Sequence, residues 1–159
     1  MPTVYEGNFA TPHGRFALVV ARFNGFLVES LAEGAMDALK RHGVADDAVD
    51  LVRVPGSFEI PVIARHLADS QRYAAIICLG AVIKGDTDHY DYVAGSATSG
   101  IAQVATQTGV PVIYGLLTCD TLEQAINRAG VKAGNKGFEA AVTAIEMVNL
   151  IHSLPKAKA

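Results

Sequence analysis

Apolar residues fall along this chain in two rhythms. Short runs that are wholly or largely apolar cover Arg15-Phe16-Ala17-Leu18-Val19-Val20-Ala21, Val49-Asp50-Leu51-Val52-Arg53-Val54, Ala74-Ala75-Ile76-Ile77-Cys78-Leu79 and Pro111-Val112-Ile113-Tyr114-Gly115-Leu116-Leu117. Between and after them, apolar positions recur at helical intervals: Leu27, Leu31, Ala35, Ala38 and Leu39; Ile60, Ile63, Ala64 and Leu67; Val93, Ala97, Ile101, Val104 and Ala105; Phe138, Ala141, Val142, Ile145 and Val148. The first rhythm predicts buried strands, the second amphipathic helices.

Local signals set the element ends. The first helix is expected from about Phe26 to His42, with Gly43 as its stop. Pro55-Gly56 makes a turn, and Ser57 is placed to cap the helix after it. Gly80-Ala81-Val82-Ile83 is expected to carry the chain off the third strand, ahead of a helix over Tyr92 to Gln107. Thr121 with Gln124 forms a capping box for a short helix, Leu122 to Ala129, which Gly130 ends. The last helix is expected over Phe138 to His152. Residues 1–14 hold Pro2, Gly7, Pro12 and Gly14 and look like an arm or edge strand whose apolar Val4 and Phe9 need cover, which another subunit could supply. Residues 154–159 read as a frayed tail.

Strand–helix alternation with apolar strands means a parallel sheet covered on both faces. The expectation is one domain spanning residues 1–159, a three-layer α/β/α sandwich on a four-stranded parallel sheet, without internal repeat or linker.

Composition narrows the class. Half of the 159 residues are apolar and 18% are charged, enough for a sizeable core. The net charge is −3 and no long basic run occurs, which argues against a nucleic-acid partner. The longest apolar run, Tyr73 to Ile83, is too short to span a bilayer, and the first residues lack the pattern of a signal peptide. Cys78 and Cys119 are isolated in apolar surroundings, as buried thiols of a reducing cytosol would be. The expected location is cytoplasmic.

One stretch breaks the apolar background. Lys84-Gly85-Asp86-Thr87-Asp88-His89-Tyr90-Asp91 supplies a cation, a hydroxyl, carboxylates and a histidine between the third strand and its helix. A solvated loop with a helix cap is the plainer reading. However, Phe23-Asn24, Ser57-Phe58-Glu59, Ala81 to His89 and Tyr114 to Asp120 are all expected at or beyond strand carboxyl ends, and so gather along the sheet edge where open α/β folds bind ligands. Phe23 alone would usually be core, and Glu59 alone a carboxylate favoured by a helix dipole. Together they suit a flat polar ring, with Thr87, the amides near Gly85 and Asp86, and Arg128 and Lys136 suiting an anion such as phosphate. His89 is the one histidine expected there and can move protons near neutral pH. Gly-x-Ser-x-Gly, P-loop and Gly-x-Gly-x-x-Gly patterns are absent. Asp86, Asp88, His89 and Asp91 match no metal-ligand spacing, so no metal is expected.

Beyond "enzyme of a small phosphorylated or aromatic ligand", the residues are informative by likeness. Ala21-Arg22-Phe23-Asn24, Val54-Pro55-Gly56-Ser57-Phe58-Glu59-Ile60-Pro61, Gly80-Ala81-Val82-Ile83-Lys84-Gly85-Asp86-Thr87-Asp88-His89-Tyr90, Gly109-Val110-Pro111-Val112-Ile113-Tyr114-Gly115, and Arg128-Ala129-Gly130 with Lys132-Ala133-Gly134-Asn135-Lys136-Gly137 closely resemble the 6,7-dimethyl-8-ribityllumazine synthase family, in order, from about Gly7 to Ile151. The resemblance implies a flavodoxin-like fold and the penultimate step of riboflavin synthesis. In that step 5-amino-6-ribitylamino-pyrimidinedione condenses with 3,4-dihydroxy-2-butanone 4-phosphate, without metal or organic cofactor. It implies that Phe23 stacks on the pyrimidine and that Asn24, in the same motif, also binds the substrate. Ser57, Phe58 and Glu59 would hold the ribityl chain, and Ala81, Val82 and Ile83 would offer backbone contacts. Gly85, Asp86, Thr87 and Arg128 would hold phosphate, His89 would transfer protons, and Tyr114, Arg128 and Lys136 would come from a neighbouring subunit. It also implies a homo-oligomer built of pentamers. The uninterrupted turn at Lys132 to Gly137 resembles members that close into an icosahedral shell of twelve pentamers, with riboflavin synthase a candidate partner. The competing class is a non-catalytic flavin or lumazine binder on the same fold, against which His89 with Arg128 argues.

Two departures stand out. Position 114 is Tyr where many members have Phe, and Asp86 and Asp88 bring carboxylates into a phosphate loop. A carboxylate facing a phosphate is repelled, so Asp86 should contribute through its backbone amide alone. Asp86→Ala is expected to leave affinity for the phosphate-bearing substrate unchanged or raised; a large loss in a titration would give the side chain a direct role.

Overall fold

A computed structural model describes residues 1–85, 89–130 and 134–158. Among these, four strands alternate with five α-helices: β1 (Phe16–Ala21), α1 (Gly25–Arg41), β2 (Val49–Val54), α2 (Ile60–Asp69), β3 (Ala75–Ile83), α3 (His89–Thr108), β4 (Val112–Cys119), α4 (Leu122–Arg128) and α5 (Lys136–Ser153). The strands form one all-parallel sheet in the order β2-β1-β3-β4. This is the three-layer, flavodoxin-like arrangement expected.

The two central strands are continuously apolar because both their faces are covered. Phe16, Leu18 and Val20 of β1 pack with Ile77 and Leu79 of β3 under α1 and α5. The alternate residues, Ala17, Val19, Ile76 and Cys78, pack under α2 and α3. The edge strand β2 has no such double cover; its polar Asp50 and Arg53 alternate with apolar neighbours and Leu51 is exposed. α1 and α5 cross closely: a Cβ on Gly137 would overlap the Leu31 backbone. Asn135 locks that crossing, capping α5 through Phe138 N–H (3.0 Å) and donating to the Ser30 carbonyl (2.9 Å).

Several boundaries differ from expectation. β3 continues through Gly80 to Ile83 instead of ending at Leu79, because β4 continues beside it to Cys119. α3 starts at His89, three residues before Tyr92. α5 starts at Lys136, so Lys136 and Gly137 are helical and not part of the preceding turn. The Thr121–Gln124 capping box is present as expected. The arm forms no strand: it lies on α5, where the Asn149 amide donates to the Asn8 and Ala10 carbonyls (2.9 Å each). Val4 and Phe9 stay exposed on it.

At the amino ends of the strands, Asp50 joins three segments. Tyr73 donates its hydroxyl to Asp50 Oδ2 (2.6 Å), and Arg15 donates to Asp50 Oδ1 and to the Asp47 carbonyl (2.8 Å each). The Tyr73 hydrogen bond, with the Arg15 charge, holds the Asp50 carboxyl below its ordinary range although partial burial pushes the other way. The folded protein therefore binds this proton less readily than the unfolded chain. The resulting stabilisation is full at neutral pH and fades as pH falls through and below about 4. Asp50→Asn is expected to lower the melting temperature at pH 7, with a deficit that shrinks as the pH is taken below about 4; a deficit that stays constant as the pH falls would refute the linkage.

Candidate active site

The winding of the sheet decides where a ligand can sit. β1 connects outward to β2 and β3 connects outward to β4, so the connections diverge between β1 and β3 and leave a crevice beyond their carboxyl ends. A cleft of about 420 Å³ occupies that place, a size suited to a small organic ligand.

Its walls come from every segment that leaves the sheet there. Phe23 and Asn24 follow β1; Pro55, Gly56, Ser57, Phe58 and Glu59 follow β2; Ala81, Val82 and Ile83 end β3; His89, Tyr90 and Val93 open α3. Phe23 is 71% and Phe58 58% exposed, so two aromatic rings stand largely open at the cleft. His89, as the first residue of α3, stands at a helix amino end facing the same space. The Ala81–Ile83 segment is in strand conformation, as backbone contacts to a planar ligand require.

Ser57 does not cap a helix. It begins a short 3-10 turn over Ser57–Glu59, and α2 starts only at Ile60. Its side chain is buried instead against β3, where a Cβ on Gly80 would overlap the Ser57 hydroxyl. Gly80 is thus small so that Ser57 can sit beneath the cleft floor. Glu59 is half-buried at the end of that turn, its carboxylate turned back toward Gly56.

Tyr114, Arg128 and Lys136 do not reach this cleft. Tyr114 is the third residue of β4, well before its carboxyl end. Its ring packs beneath α3 and its hydroxyl accepts from Thr98 (3.0 Å). Arg128 ends α4 and is exposed, while Lys136 begins α5. Gly85 is exposed just beyond β3. Asp86, Thr87 and Asp88, and with them the side-chain half of the phosphate loop, lie outside the described residues, as do Lys132 and Ala133. The sequence reading missed Pro55, Gly56, Tyr90 and Val93 as lining residues. For Val93 a signal was available, since His89 and Val93 share a helix face at four-residue spacing.

The thiols are chemically quiet. Burial pushes the Cys78 thiol up to about 12. Burial also raises that of Cys119, against an opposing effect of the Arg128 charge. Among the described residues, no group of three or more His, Cys, Asp or Glu could hold a metal ion, and no helix is long and apolar enough to cross a membrane. What the cleft can do is stack a ring, hydrogen-bond its edge and side chain, and exchange protons through an imidazole.

A sequence model of one protein family, 6,7-dimethyl-8-ribityllumazine synthase, matches residues 13–152, which include every described residue of the cleft.

Gly80→Ala is expected to cost about 1–3 kcal/mol in denaturant unfolding by overpacking. Most of that loss should be recovered in the Gly80→Ala/Ser57→Gly double variant, where the overlap is removed; additive losses would show that the two sites are not coupled.

Proposed function

Because the chain belongs to the 6,7-dimethyl-8-ribityllumazine synthase family, transferases of riboflavin biosynthesis, we propose that its cleft condenses 5-amino-6-ribitylamino-pyrimidinedione with 3,4-dihydroxy-2-butanone 4-phosphate. The observation that carries this reading is the convergence of Phe23, Ser57, Glu59, the Ala81–Ile83 backbone and His89 on one crevice.

In the proposed chemistry the primary amine attacks the ketone carbon and water leaves, giving an imine. Phosphate is then eliminated, and the resulting enol becomes a carbonyl. The ribityl-bearing nitrogen closes on that carbonyl with loss of a second water. Phe23 stacks on the pyrimidine, the Ala81–Ile83 segment offers backbone contacts to the heterocycle and ribityl chain, and Ser57, Phe58 and Glu59 hold the ribityl chain. Each step moves a proton, and the relay is assigned to His89. Gly85 with the amides of Asp86 and Thr87 receives the phosphate, and Arg128 clamps it.

Assembly belongs to the same proposal. Tyr114, Arg128 and Lys136 are assigned to the cleft of a neighbouring copy, within a pentamer and, for the shell-forming type, a sixty-subunit particle. The exposed Phe26, Val62 and Tyr92 and the open small-residue face of α3 at Gly95, Ser96 and Ser99 support burial against other copies. The single-domain division, the cytoplasmic location and a riboflavin synthase partner remain parts of this reading.

The test mixes the protein with both substrates and follows lumazine absorbance against the uncatalysed rate. Saturable acceleration is expected, and His89→Ala should slow turnover roughly ten- to a thousandfold while ligand binding persists. Tight lumazine binding without acceleration would move the protein to the binder class, and an unchanged rate in His89→Ala would remove the proton relay from that residue.

A further inference from the structure

The backbone of β3 has a gap that a side chain fills. Ile76 and Lys84 send their amides toward the β4 side, to the Pro111 and Cys119 carbonyls (2.9 Å each), so odd-numbered residues of β3 face β1. With Val20 beside Leu79, continued pairing would bring the amide of residue 23 to the Ala81 carbonyl. That amide goes elsewhere: Phe23 N–H donates to the Pro55 carbonyl (3.0 Å). Ala81 is only 2% exposed, and an unmatched carbonyl there would be costly. Asn24 Nδ2 takes the empty place, donating to the Ala81 carbonyl at 2.9 Å.

Asn24 reaches it by adopting φ 59 and ψ 42, the left-handed region that asparagine tolerates better than most residues. Its own carbonyl meanwhile accepts from Leu27 and Val28 (3.0 and 3.2 Å) and opens α1. One residue thus ties the end of β1, the start of α1 and the end of β3 together at the crevice.

We propose that Asn24 is a positioning residue and not a substrate contact. Its amide sets the plane of the Ala81–Val82 peptide, and its left-handed backbone aims Phe23 over the same space. The ligand affected is the flat heterocycle that stacks on Phe23 and meets the open edge of β3 at Ile83; this rests on the functional reading above. The proposal does not extend to the phosphate-bearing substrate or to the His89 proton relay.

Two substitutions isolate the hydrogen bond. Asn24→Gly keeps the left-handed backbone and removes the donor. Asn24→Asp keeps shape and backbone tolerance but turns an oxygen toward the Ala81 carbonyl. In the ligand-free protein, amide exchange at Val82 to Lys84 is expected to quicken about tenfold in both, the worth of one neutral hydrogen bond. KM for the ribitylamino-pyrimidinedione should rise about tenfold, in Asp at least as much as in Gly, with kcat and KM for the butanone phosphate within about threefold of the parent. A raised KM with parental exchange would mean that Asn24 touches the substrate, and would overturn the proposal. Faster exchange with an unchanged KM would overturn it too, leaving a purely structural bond. Should the parent protein fail to catalyse, the functional reading fails separately. Exchange and calorimetric binding of the same pyrimidine then decide the role of Asn24 by the same criteria.

Discussion

A parallel strand covered on both faces has no side on which to place a polar side chain, so its chemistry is displaced to its ends. In this protein that constraint is nearly complete for β1 and β3, whose residues are buried from Phe16 to Ala21 and from Ala75 to Val82. All four strands run the same way, so their carboxyl ends open together. Only between β1 and β3 do the connecting segments part, and there the cleft forms. The chemistry of the site is thus a consequence of how the core is covered. The opposite edge serves stability: Arg15, Asp50 and Tyr73 tie β1, β2 and the approach to β3 together, and the cleft there, lined by His13 and His152, offers two imidazoles without a third ligand among the described residues.

Most of the fold was legible in the sequence because the core strands and helices differ so sharply in hydrophobic period. The short helix α4 was read from its capping box alone, since Thr121 and Gln124 satisfy each other's backbone amides by local geometry. The candidate site was legible where it depended on strand ends, as for Phe23, Glu59 and His89. It was not legible where it depended on packing between distant segments. Ser57 carries every local mark of a helix cap, yet it is drawn under β3 by the space that Gly80 leaves twenty-three positions later. The length of β3 was similarly hidden. Gly80-Ala81-Val82-Ile83 looks like an exit from the sheet, and only the continued partnership of Leu116 to Cys119 keeps it in strand form. That same extension displaced Tyr114 from the expected strand end into its interior.

The extension of β3 past β1 also explains why a strand edge lines the cleft. Toward β3 the last paired row of β1 is Val20 with Leu79, and Lys84 still donates to the Cys119 carbonyl on the other side. Ala81 to Ile83 are therefore held along one edge and open along the other. A strand edge offers aligned donors and acceptors at fixed spacing, which suits a planar heterocycle better than a mobile loop would. The Asn24 amide closes the first acceptor of that edge at Ala81. The next backbone groups along that edge are those of Ile83, because Val82 faces β4.

The aromatic faces lead to the assembly question by a different route. A stacking residue needs its ring accessible to ligand, but exposure of 71% at Phe23 is more than one stacked face requires, and Phe26 on the next turn is 64% exposed. Two neighbouring phenylalanines so uncovered would be a poor arrangement for a solitary chain. They are understandable if ligand takes one face and another copy shelters the rest. On that view Tyr114, Arg128 and Lys136, which this chain keeps away from its own cleft, are not misplaced parts of one site but parts of the next. The mouth of the cleft is then completed by the same contacts that bury the phenylalanines. If so, assembly and substrate enclosure would be one event, and a chain that failed to associate would retain its crevice but lack the cations proposed to hold an anion there.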